Sequence, residues 1–286
     1  MLHSAARQAD RTGHQLPAPP PHQRQGVVIP LPTRANATAP AADAVAAAPR
    51  PIELSLLGGF QLTVGGILTH VGRTGERLLA VVACRGRQAT RSQIAHTLWP
   101  DTTSNRAHAN LRTALYRLYR RGPGTIHATT TYLQLPVGMH IDLEHTTRLA
   151  NNVLAAPTPG EHAAAEHALL TDALNANLYD DLLPDWDDDW LTDTQYRYRQ
   201  LRLAALEQLS THLATTGHYG GAIQAALAAV QADPLRDSAH EILIKACLAQ
   251  GNRHEALTHY TTYRRILRDE LGLDPPPAIN HLLTSA

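Results

Sequence analysis

The chain has 286 residues, which is enough for two domains of ordinary size, and its formal net charge at pH 7 is zero. Its two cysteines, Cys84 and Cys247, are too few for a disulfide framework or a zinc site, and no run approaches the roughly 18 apolar residues that a membrane span needs. The N-terminus also lacks the apolar core of a signal peptide. We therefore expect a soluble protein of the reducing cytoplasm, with no membrane partner.

Residues 1–50 are expected to form a disordered arm. They are rich in Ala, Pro, Gln and Arg, with four prolines between Pro17 and Pro21 and no periodic apolar pattern. Such a segment cannot bury enough apolar surface to offset the entropy lost on ordering. The folded part of the chain is therefore predicted to begin near residue 51.

Residues 51–141 predict a small domain of strands, three helices and a hairpin. The turn Gly58-Gly59 separates two alternating apolar segments, Thr90 can cap the second helix, and Ser104 can cap the third. The predicted helices cover residues 73–84, 91–99 and 106–121, and the predicted strands cover residues 52–57, 60–64, 125–127 and 132–135. This order is typical of a winged helix, in which the second helix supports the third as in a helix-turn-helix.

The third predicted helix combines an apolar stripe with a basic face. Residues 51–141 contain ten arginines against three acidic residues, and five of those arginines lie on this helix. Leu111, Leu115 and Leu118 recur at helical spacing and predict a buried stripe. The opposite face carries Arg106, Thr113, Tyr116, Arg117 and Arg120, with Asn110 and Arg112 on its flanks. Such a face suits the major groove of DNA, although a solvated surface helix explains the pattern of this helix equally well. The winged-helix order favours DNA.

Residues 142–286 predict a separate, all-α domain. They hold ten basic and twenty acidic residues, so nucleic acid is expected to bind only the first domain. The motif Gly217–Ala222 recurs at Gly251–Ala256 with an offset of 34 residues, which is the tetratricopeptide period. Such repeats stack as antiparallel helices, and further helices are predicted at 143–154 and 161–178. The connection to the first domain is short, so we expect the two domains to pack closely, and we expect residues 142–286 to fold alone.

A series of short motifs occurs in order between residues 52 and 276. They are Leu56-Leu57-Gly58-Gly59-Phe60, Arg77-Leu78-Leu79-Ala80, Leu98-Trp99-Pro100-Asp101, Ala109-Asn110-Leu111-Arg112-Thr113-Ala114-Leu115-Tyr116-Arg117-Leu118, Leu182-Leu183-Pro184-Asp185-Trp186, Asp189-Trp190-Leu191 and Leu267-Arg268-Asp269-Glu270-Leu271-Gly272-Leu273-Asp274-Pro275. In their order and spacing they resemble the Streptomyces antibiotic regulatory protein (SARP) type of transcriptional activator. In that family an OmpR-type winged helix precedes a bacterial transcriptional activator domain. The expected fold is mainly α with a small β part, a winged helix-turn-helix followed by a tetratricopeptide-like domain.

The resemblance implies a nucleoid-associated regulator that binds double-stranded DNA at direct repeats and recruits RNA polymerase, with a second copy as a possible partner on tandem sites. Base edges would be read by Arg112, Thr113 and Arg117. Phosphates would be contacted by Arg106, Asn110, Tyr116 and Arg120. Polymerase would lie near the loop formed by Trp99, Pro100, Asp101, Thr102 and Thr103. The predicted wing, Thr129–Tyr132, departs from the Gly-Gly-Tyr turn of the family and has no arginine.

A rival hypothesis is a protein-interaction scaffold whose winged helix no longer binds DNA. An enzyme is not expected, and neither is a cofactor or a metal ion. His254 and His259 lie five residues apart, whereas two zinc ligands on one helix face need a spacing of four. The aspartates of 185–189 lack the glycine and glutamate of a calcium loop, and Lys245 belongs to no phosphate-binding glycine loop.

Overall fold

The computed structural model describes residues 51–156, 172 and 177–285, so the expected arm and most of the predicted helix at 161–178 lie outside the described residues. The strands are β1 (Ile52–Ser55), β2 (Gln61–Val64), β3 (Ile67–Leu68), β4 (Gln88–Thr90), β5 (His127–Ala128), β6 (Tyr132–Gln134) and β7 (Met139–Ile141). The helices are α1 (Arg73–Cys84), α2 (Arg91–Leu98), α3 (Ser104–Arg121), α4 (Asp142–Ala155), a 3-10 turn (Asn177–Tyr179), α5 (Asp189–Thr215), α6 (Tyr219–Ala232), α7 (Asp237–Ala249), α8 (Arg253–Leu271) and α9 (Pro277–Ser285). No helix among the described residues is long and apolar enough to cross a membrane.

The strands form two small sheets around the first three helices. The four-stranded sheet has the order β3-β2-β1-β7, in which β1 runs antiparallel to β2 and parallel to β7. The three-stranded sheet has the order β4-β6-β5, so the predicted hairpin β5–β6 gains a third strand. The expected fold, mainly α with a small β part, is confirmed. The sequence pattern missed β3, β4 and β7, because strands of two or three residues are too short to show an alternation.

Helix α3 buries the predicted stripe against α1 and α2. Its buried residues are Ala107, Leu111, Ala114, Leu115 and Leu118. Thr90 caps α2 as predicted, in a capping box with Gln93. The prediction that Ser104 caps α3 is wrong. Ser104 is the first helical residue, because the Ala107 N–H already donates to the Thr103 carbonyl oxygen at 2.9 Å.

The predicted 34-residue repeat is visible as two equivalent helical hairpins, α5–α6 and α7–α8. Gly217 and Gly251 adopt φ values of 81° and 84°, which side chains other than glycine rarely tolerate. The next residue donates its N–H back to the first helix of each hairpin, His218 to the Leu213 carbonyl at 2.8 Å and Asn252 to the Cys247 carbonyl at 2.9 Å. The same turn chemistry therefore closes both hairpins, as in tetratricopeptide repeats.

A buried carboxylate joins the winged helix to the helical half. Asp142, the first residue of α4, accepts hydrogen bonds from the N–H groups of Leu56 at 2.9 Å and Leu57 at 3.1 Å. Leu183 donates its N–H to the Leu56 carbonyl at 2.8 Å. Helical-half residues that share the core of the winged helix are Leu182, Leu183, Trp186, Leu191 and Tyr198. Close packing of the two domains is confirmed. The expectation that residues 142–286 fold alone stays a prediction, and the shared core argues against it.

A second joint is built around Arg87, which precedes β4 in a left-handed backbone conformation with φ 71°. Its guanidinium forms an ion pair with Glu144 of α4, with Nη2 2.7 Å from Oε2. It also donates to the carbonyl oxygens of Pro136 and Met139, each at 2.8 Å. One arginine therefore fastens the turn before β7 and the start of α4 to the edge of the second sheet.

A third joint is the carboxylate of Asp188, directly before α5. It lies 3.2 Å from a guanidinium nitrogen of Arg73 and 2.5 Å from one of Arg77, both on α1. The indole N–H of Trp190 donates to the same carboxylate at 3.1 Å. The Arg73 guanidinium also lies 3.8 Å from the ring centroid of Trp186. This joint therefore combines ion pairs with a cation–π contact.

Replacing Asp142 by alanine tests the first joint. Asp142→Ala leaves the N–H groups of Leu56 and Leu57 buried without an acceptor, so we expect the free energy of unfolding to fall by about 2–4 kcal/mol. Burial raises the pKa of the Asp142 carboxyl, although its backbone donors act in the opposite direction, so the buried charge itself costs free energy. Alanine removes that cost, which offsets part of the loss in stability. Urea denaturation measures the change. The control Asp269→Ala, at an exposed site, should change stability by less than about 0.5 kcal/mol, and an equal effect of both variants would refute the joint.

A buried histidine predicts an acid-sensitive second hairpin. The His240 ring is 3% exposed and stacks on Tyr263 with centroids 3.9 Å apart, and its Nε2 lies 2.9 Å from the Pro234 carbonyl oxygen. That carbonyl is an acceptor, so Nε2 carries the proton and protonation would have to occur at Nδ1, which has no hydrogen-bond partner among the described residues. Burial, and secondarily the nearby His259, lower the pKa of His240.

The unfolded chain therefore binds a proton at higher pH than the folded one. The stability contributed by neutral His240 is complete above about pH 6.5 and is lost as the pH falls from there through the lower folded-state pKa. We expect thermal unfolding between pH 7.5 and 5 to show a steeper loss of Tm for the wild type than for His240→Gln, whose amide stays neutral. Parallel curves for the two proteins would rule out this role.

Candidate nucleic-acid interface

Helix α3 presents the predicted polar face to solvent. The exposed members are Arg106, Arg112, Thr113, Tyr116, Arg117 and Arg120, and Asn110 is half-buried at the flank. Tyr116 is 63% exposed, which is unusual for a large aromatic side chain. The Thr113 hydroxyl donates to the Ala109 carbonyl at 3.2 Å. The helix thus turns its leucine stripe inward and an arginine-rich surface outward.

The arginines of the winged helix fall into two groups. All five that precede α3 are bound to other parts of the protein, Arg73 and Arg77 to Asp188, Arg85 to the Thr97 hydroxyl, Arg87 to Glu144 and Arg91 to the Thr129 carbonyl. Those on the outer face of α3 are Arg106, Arg112, Arg117 and Arg120. Among the described residues, none of these four guanidinium groups forms a hydrogen bond or an ion pair. Their charge is therefore available to an external anion.

Arg121 is the arginine of α3 that does not belong to this face. A Cβ atom added at Gly72, directly before α1, would lie 2.8 Å from its guanidinium. Gly72 also has φ 76°, so a larger residue there would be strained, and the end of the Arg121 side chain would have to move. Arg121 therefore packs on the start of α1.

Helix α2 supports α3 from one side. The rings of His96 and His108 meet edge to face with centroids 6.1 Å apart, and the His108 Nδ1 lies 2.8 Å from the Ser104 carbonyl oxygen. At the start of α2, Arg91 donates its backbone N–H to the Thr131 carbonyl at 3.0 Å. The wing is thus held against α2. Sequence reasoning missed Arg91, because its partners lie some forty residues away and no local pattern marks them.

The loop between α2 and α3, which the resemblance places near polymerase, is compact and mostly accessible. Pro100, Asp101 and Thr103 are exposed, while Trp99 and Thr102 are half-buried. The Thr102 hydroxyl donates to the Trp99 carbonyl at 3.1 Å. The loop forms one wall of an open cleft of about 560 Å³, whose other wall is the segment Asp187–Trp190 and whose base includes Arg73 and Arg77 of α1. The sequence pattern did not predict that second wall.

The bacterial transcriptional activator domain family matches residues 141–285, which is just over half of the chain. The chain belongs to this family. Regulatory proteins appear among its relatives by sequence, and the resemblance to the SARP type of regulator is confirmed.

Two regulatory proteins illustrate the relationship. "Regulatory protein AfsR" of Streptomyces coelicolor is 29% identical over 245 residues, which cover 81% of this chain and 24% of that protein. "Transcriptional regulatory protein EmbR" of Mycobacterium tuberculosis is 24% identical over 248 residues, which cover 83% of this chain and 63% of that protein. The chain therefore spans about a quarter of the first relative and less than two thirds of the second.

A solved structure shows the same fold. The structure described as Mycobacterium tuberculosis EmbR in complex with a low affinity phosphopeptide superposes with a TM-score of 0.62 at 22% identity, over 82% of this chain and 64% of that one. The winged helix followed by a bacterial transcriptional activator domain is therefore an arrangement that this chain shares with a known regulator.

The division between bound and unbound arginines predicts that their replacement by alanine has unequal effects on stability. Arg117→Ala removes a side chain without a partner, so the free energy of unfolding should change by less than about 0.5 kcal/mol. Arg87→Ala removes the bonds to Glu144, Pro136 and Met139 and should lower it by about 1–3 kcal/mol. Urea denaturation of both variants measures the difference. A loss in Arg117→Ala as large as that in Arg87→Ala would mean that Arg117 has a structural partner.

Proposed function

We propose that this chain is a sequence-specific DNA-binding transcriptional regulator, an activator that recruits RNA polymerase at direct-repeat promoter sites. The observation that carries the proposal is the set of four guanidinium groups on the outer face of α3 that have no partner in the part of the chain that the structure describes. A winged helix places its third helix in the major groove, where arginine pairs with guanine and with phosphate. The family and the names of the relatives, all regulators, support the same reading, and a catalytic role is not part of the proposal.

The geometry supports a division of roles along α3. We propose that Arg112, Thr113 and Arg117 face base edges. The Thr113 hydroxyl hydrogen is used by the Ala109 carbonyl, so towards DNA the hydroxyl oxygen can only accept, while the methyl group suits the methyl group of thymine. Phosphate contacts are assigned to Arg106, Asn110, Tyr116 and Arg120.

The partners follow from the distribution of charge. Residues 142–286 hold twenty acidic and ten basic residues, so the helical domain repels DNA and is free for protein contacts. The proposal assigns the loop Trp99–Thr103 to polymerase and allows a second copy on the neighbouring repeat. Binding to chromosomal DNA would make the protein nucleoid-associated.

The direct test is a binding assay on an operator selected from random duplexes. Arg117→Ala should weaken binding to the operator by about 1–3 kcal/mol and relax the base preference at one position, as expected when a bidentate contact is lost. The matched control is Arg148→Ala, an exposed arginine of α4, which should bind like the wild type. An equal loss on all sequences would reassign Arg117 to phosphate.

The salt dependence of binding tests the residues that are assigned to phosphate contacts. Arg120→Ala should weaken binding equally on all sequences and reduce the slope of log K against log salt concentration by about 1, because one condensed counterion fewer is released. If the wild type selects no duplex and binds none, the winged helix has lost DNA binding and the interaction scaffold is the better description.

A further inference from the structure

Two histidine rings meet across the helix-turn-helix. His96 lies in the last turn of α2 and His108 in the second turn of α3. Their ring centroids are 6.1 Å apart, and the ring planes are nearly perpendicular. The pair therefore connects the supporting helix to the helix that carries the basic face.

The backbone of α3 fixes the tautomer of His108. Its Nδ1 lies 2.8 Å from the Ser104 carbonyl oxygen, which can only accept, so Nδ1 carries the proton. The lone pair of Nε2 is then exposed to a ligand, because no donor among the described residues is bound to it. Histidines that bind metal ions are oriented in this way, with one ring N–H donated to a carbonyl oxygen and the other nitrogen on the metal.

His96 supplies a second nitrogen. Its ring is exposed and forms no hydrogen bond among the described residues, so it is free to turn about its side-chain bonds. Two imidazoles on one zinc ion, with Zn–N distances of about 2.0–2.1 Å, place their ring centres roughly 5–6 Å apart. The observed separation is close to this range. A turn of the His96 ring with a small shift can therefore bring both nitrogens to one ion.

The donor set selects the kind of cation. Imidazole nitrogen suits Zn²⁺, Ni²⁺ and Cu²⁺, whereas Mg²⁺ and Ca²⁺ prefer oxygen ligands. In the part of the chain that the structure describes, no group of three or more His, Cys, Asp and Glu residues forms a metal site. The ion would therefore have two protein ligands, and water would complete its coordination. Such a site fills and empties with the concentration of free metal.

We propose that His96 and His108 form a reversible binding site for Zn²⁺ or a similar divalent transition-metal ion, which ties α2 to α3. The ion stabilises the helix-turn-helix, because it binds the folded arrangement in preference to the unfolded chain. It also adds positive charge near Arg112, which lies one turn after His108 on α3. The bound ion therefore strengthens binding to DNA, a step that rests on the proposed function.

The first measurement is calorimetric titration of the full chain with Zn²⁺ at pH 7.5, and with Mg²⁺ as the test of ion type. The site variant is His96→Gln/His108→Gln, in which the amide of the second glutamine can still donate to the Ser104 carbonyl. The matched control is His140→Gln/His145→Gln. That pair has ring centroids 5.9 Å apart, but neither ring is oriented by a hydrogen bond among the described residues.

We expect at least tenfold weaker Zn²⁺ binding in the site variant, unchanged binding in the control and no binding of Mg²⁺. Zn²⁺ at about ten times its Kd should raise the Tm of the wild type and the control by about 3 °C or more. The Tm of the site variant should not change. The single variant His96→Gln, which removes no hydrogen bond, should show the same losses and covers the case in which the double variant misfolds. Equal Zn²⁺ binding by the wild type and both site variants would mean an adventitious ion only and would overturn the site.

The second measurement is binding to the selected operator with and without Zn²⁺. The wild type and the control should bind about threefold more tightly with Zn²⁺, because the ion adds charge beside the basic face, and the site variant should not respond. An unchanged affinity of the zinc-loaded wild type would overturn the effect on DNA. A wild type that binds no duplex in either condition would instead overturn the proposed function, and the calorimetric titration, which uses no DNA, would still decide the metal site.

Discussion

The carboxylate of Asp142 sets the relation between the two halves of this protein. It is 7% exposed and is held by backbone N–H groups at the end of β1, although it belongs to the first turn of α4. A buried carboxylate is costly unless hydrogen bonds replace the lost water, so β1 and α4 cannot separate without exposing or orphaning these groups. The joints at Arg87 and Asp188 add two more points of attachment. Three joints on different elements make the winged helix and the helical half one body.

The same joints explain why the outer face of α3 stays unpaired. The helical half is strongly acidic, and acidic groups near the winged helix could neutralise its arginines. Three that reach it in the described structure are held away from α3: Glu144 and Asp188 are bound by Arg87, Arg73 and Arg77, and Asp142 is bound by the N–H groups of Leu56 and Leu57. The electrostatic attraction between the two halves is therefore confined to the joints that hold them together. The guanidinium groups of α3 keep their charge for a partner.

Features set by local sequence could be predicted, and features set by distant pairing could not. The leucine stripe of α3 depends on side chains three or four residues apart, and the hairpins at Gly217 and Gly251 depend on a turn that the sequence repeats. The joint at Asp188 links residues more than 100 positions apart, and no periodicity marks such a contact. The acid run at 185–189 could be predicted to precede a helix, but which of its members would be buried against arginine could not.

The candidate site shows the same division. Its exposed face could be placed from helical geometry alone, since five buried positions fix the opposite side. The position of Arg121 outside this face could not be predicted, because it depends on Gly72 and on the packing of α1. Likewise, the role of Arg91 in holding the wing appears only once β5 and β6 are placed beside α2.

Under the proposed function, the wing limits how tightly one copy would hold DNA. Its tip consists of Thr129, Thr130 and Thr131, and the nearby cation, Arg91, is bound to the Thr129 carbonyl. If α3 binds DNA as proposed, four guanidinium groups on one helix supply most of the electrostatic attraction, and so few cationic contacts give a single copy only a modest affinity at physiological salt. Two copies on adjacent repeats would double that set, and a contact between the copies would let each strengthen the binding of the other. A charge pattern concentrated on one helix thus favours operators built from repeats, which is the arrangement that the resemblance to the SARP type implies.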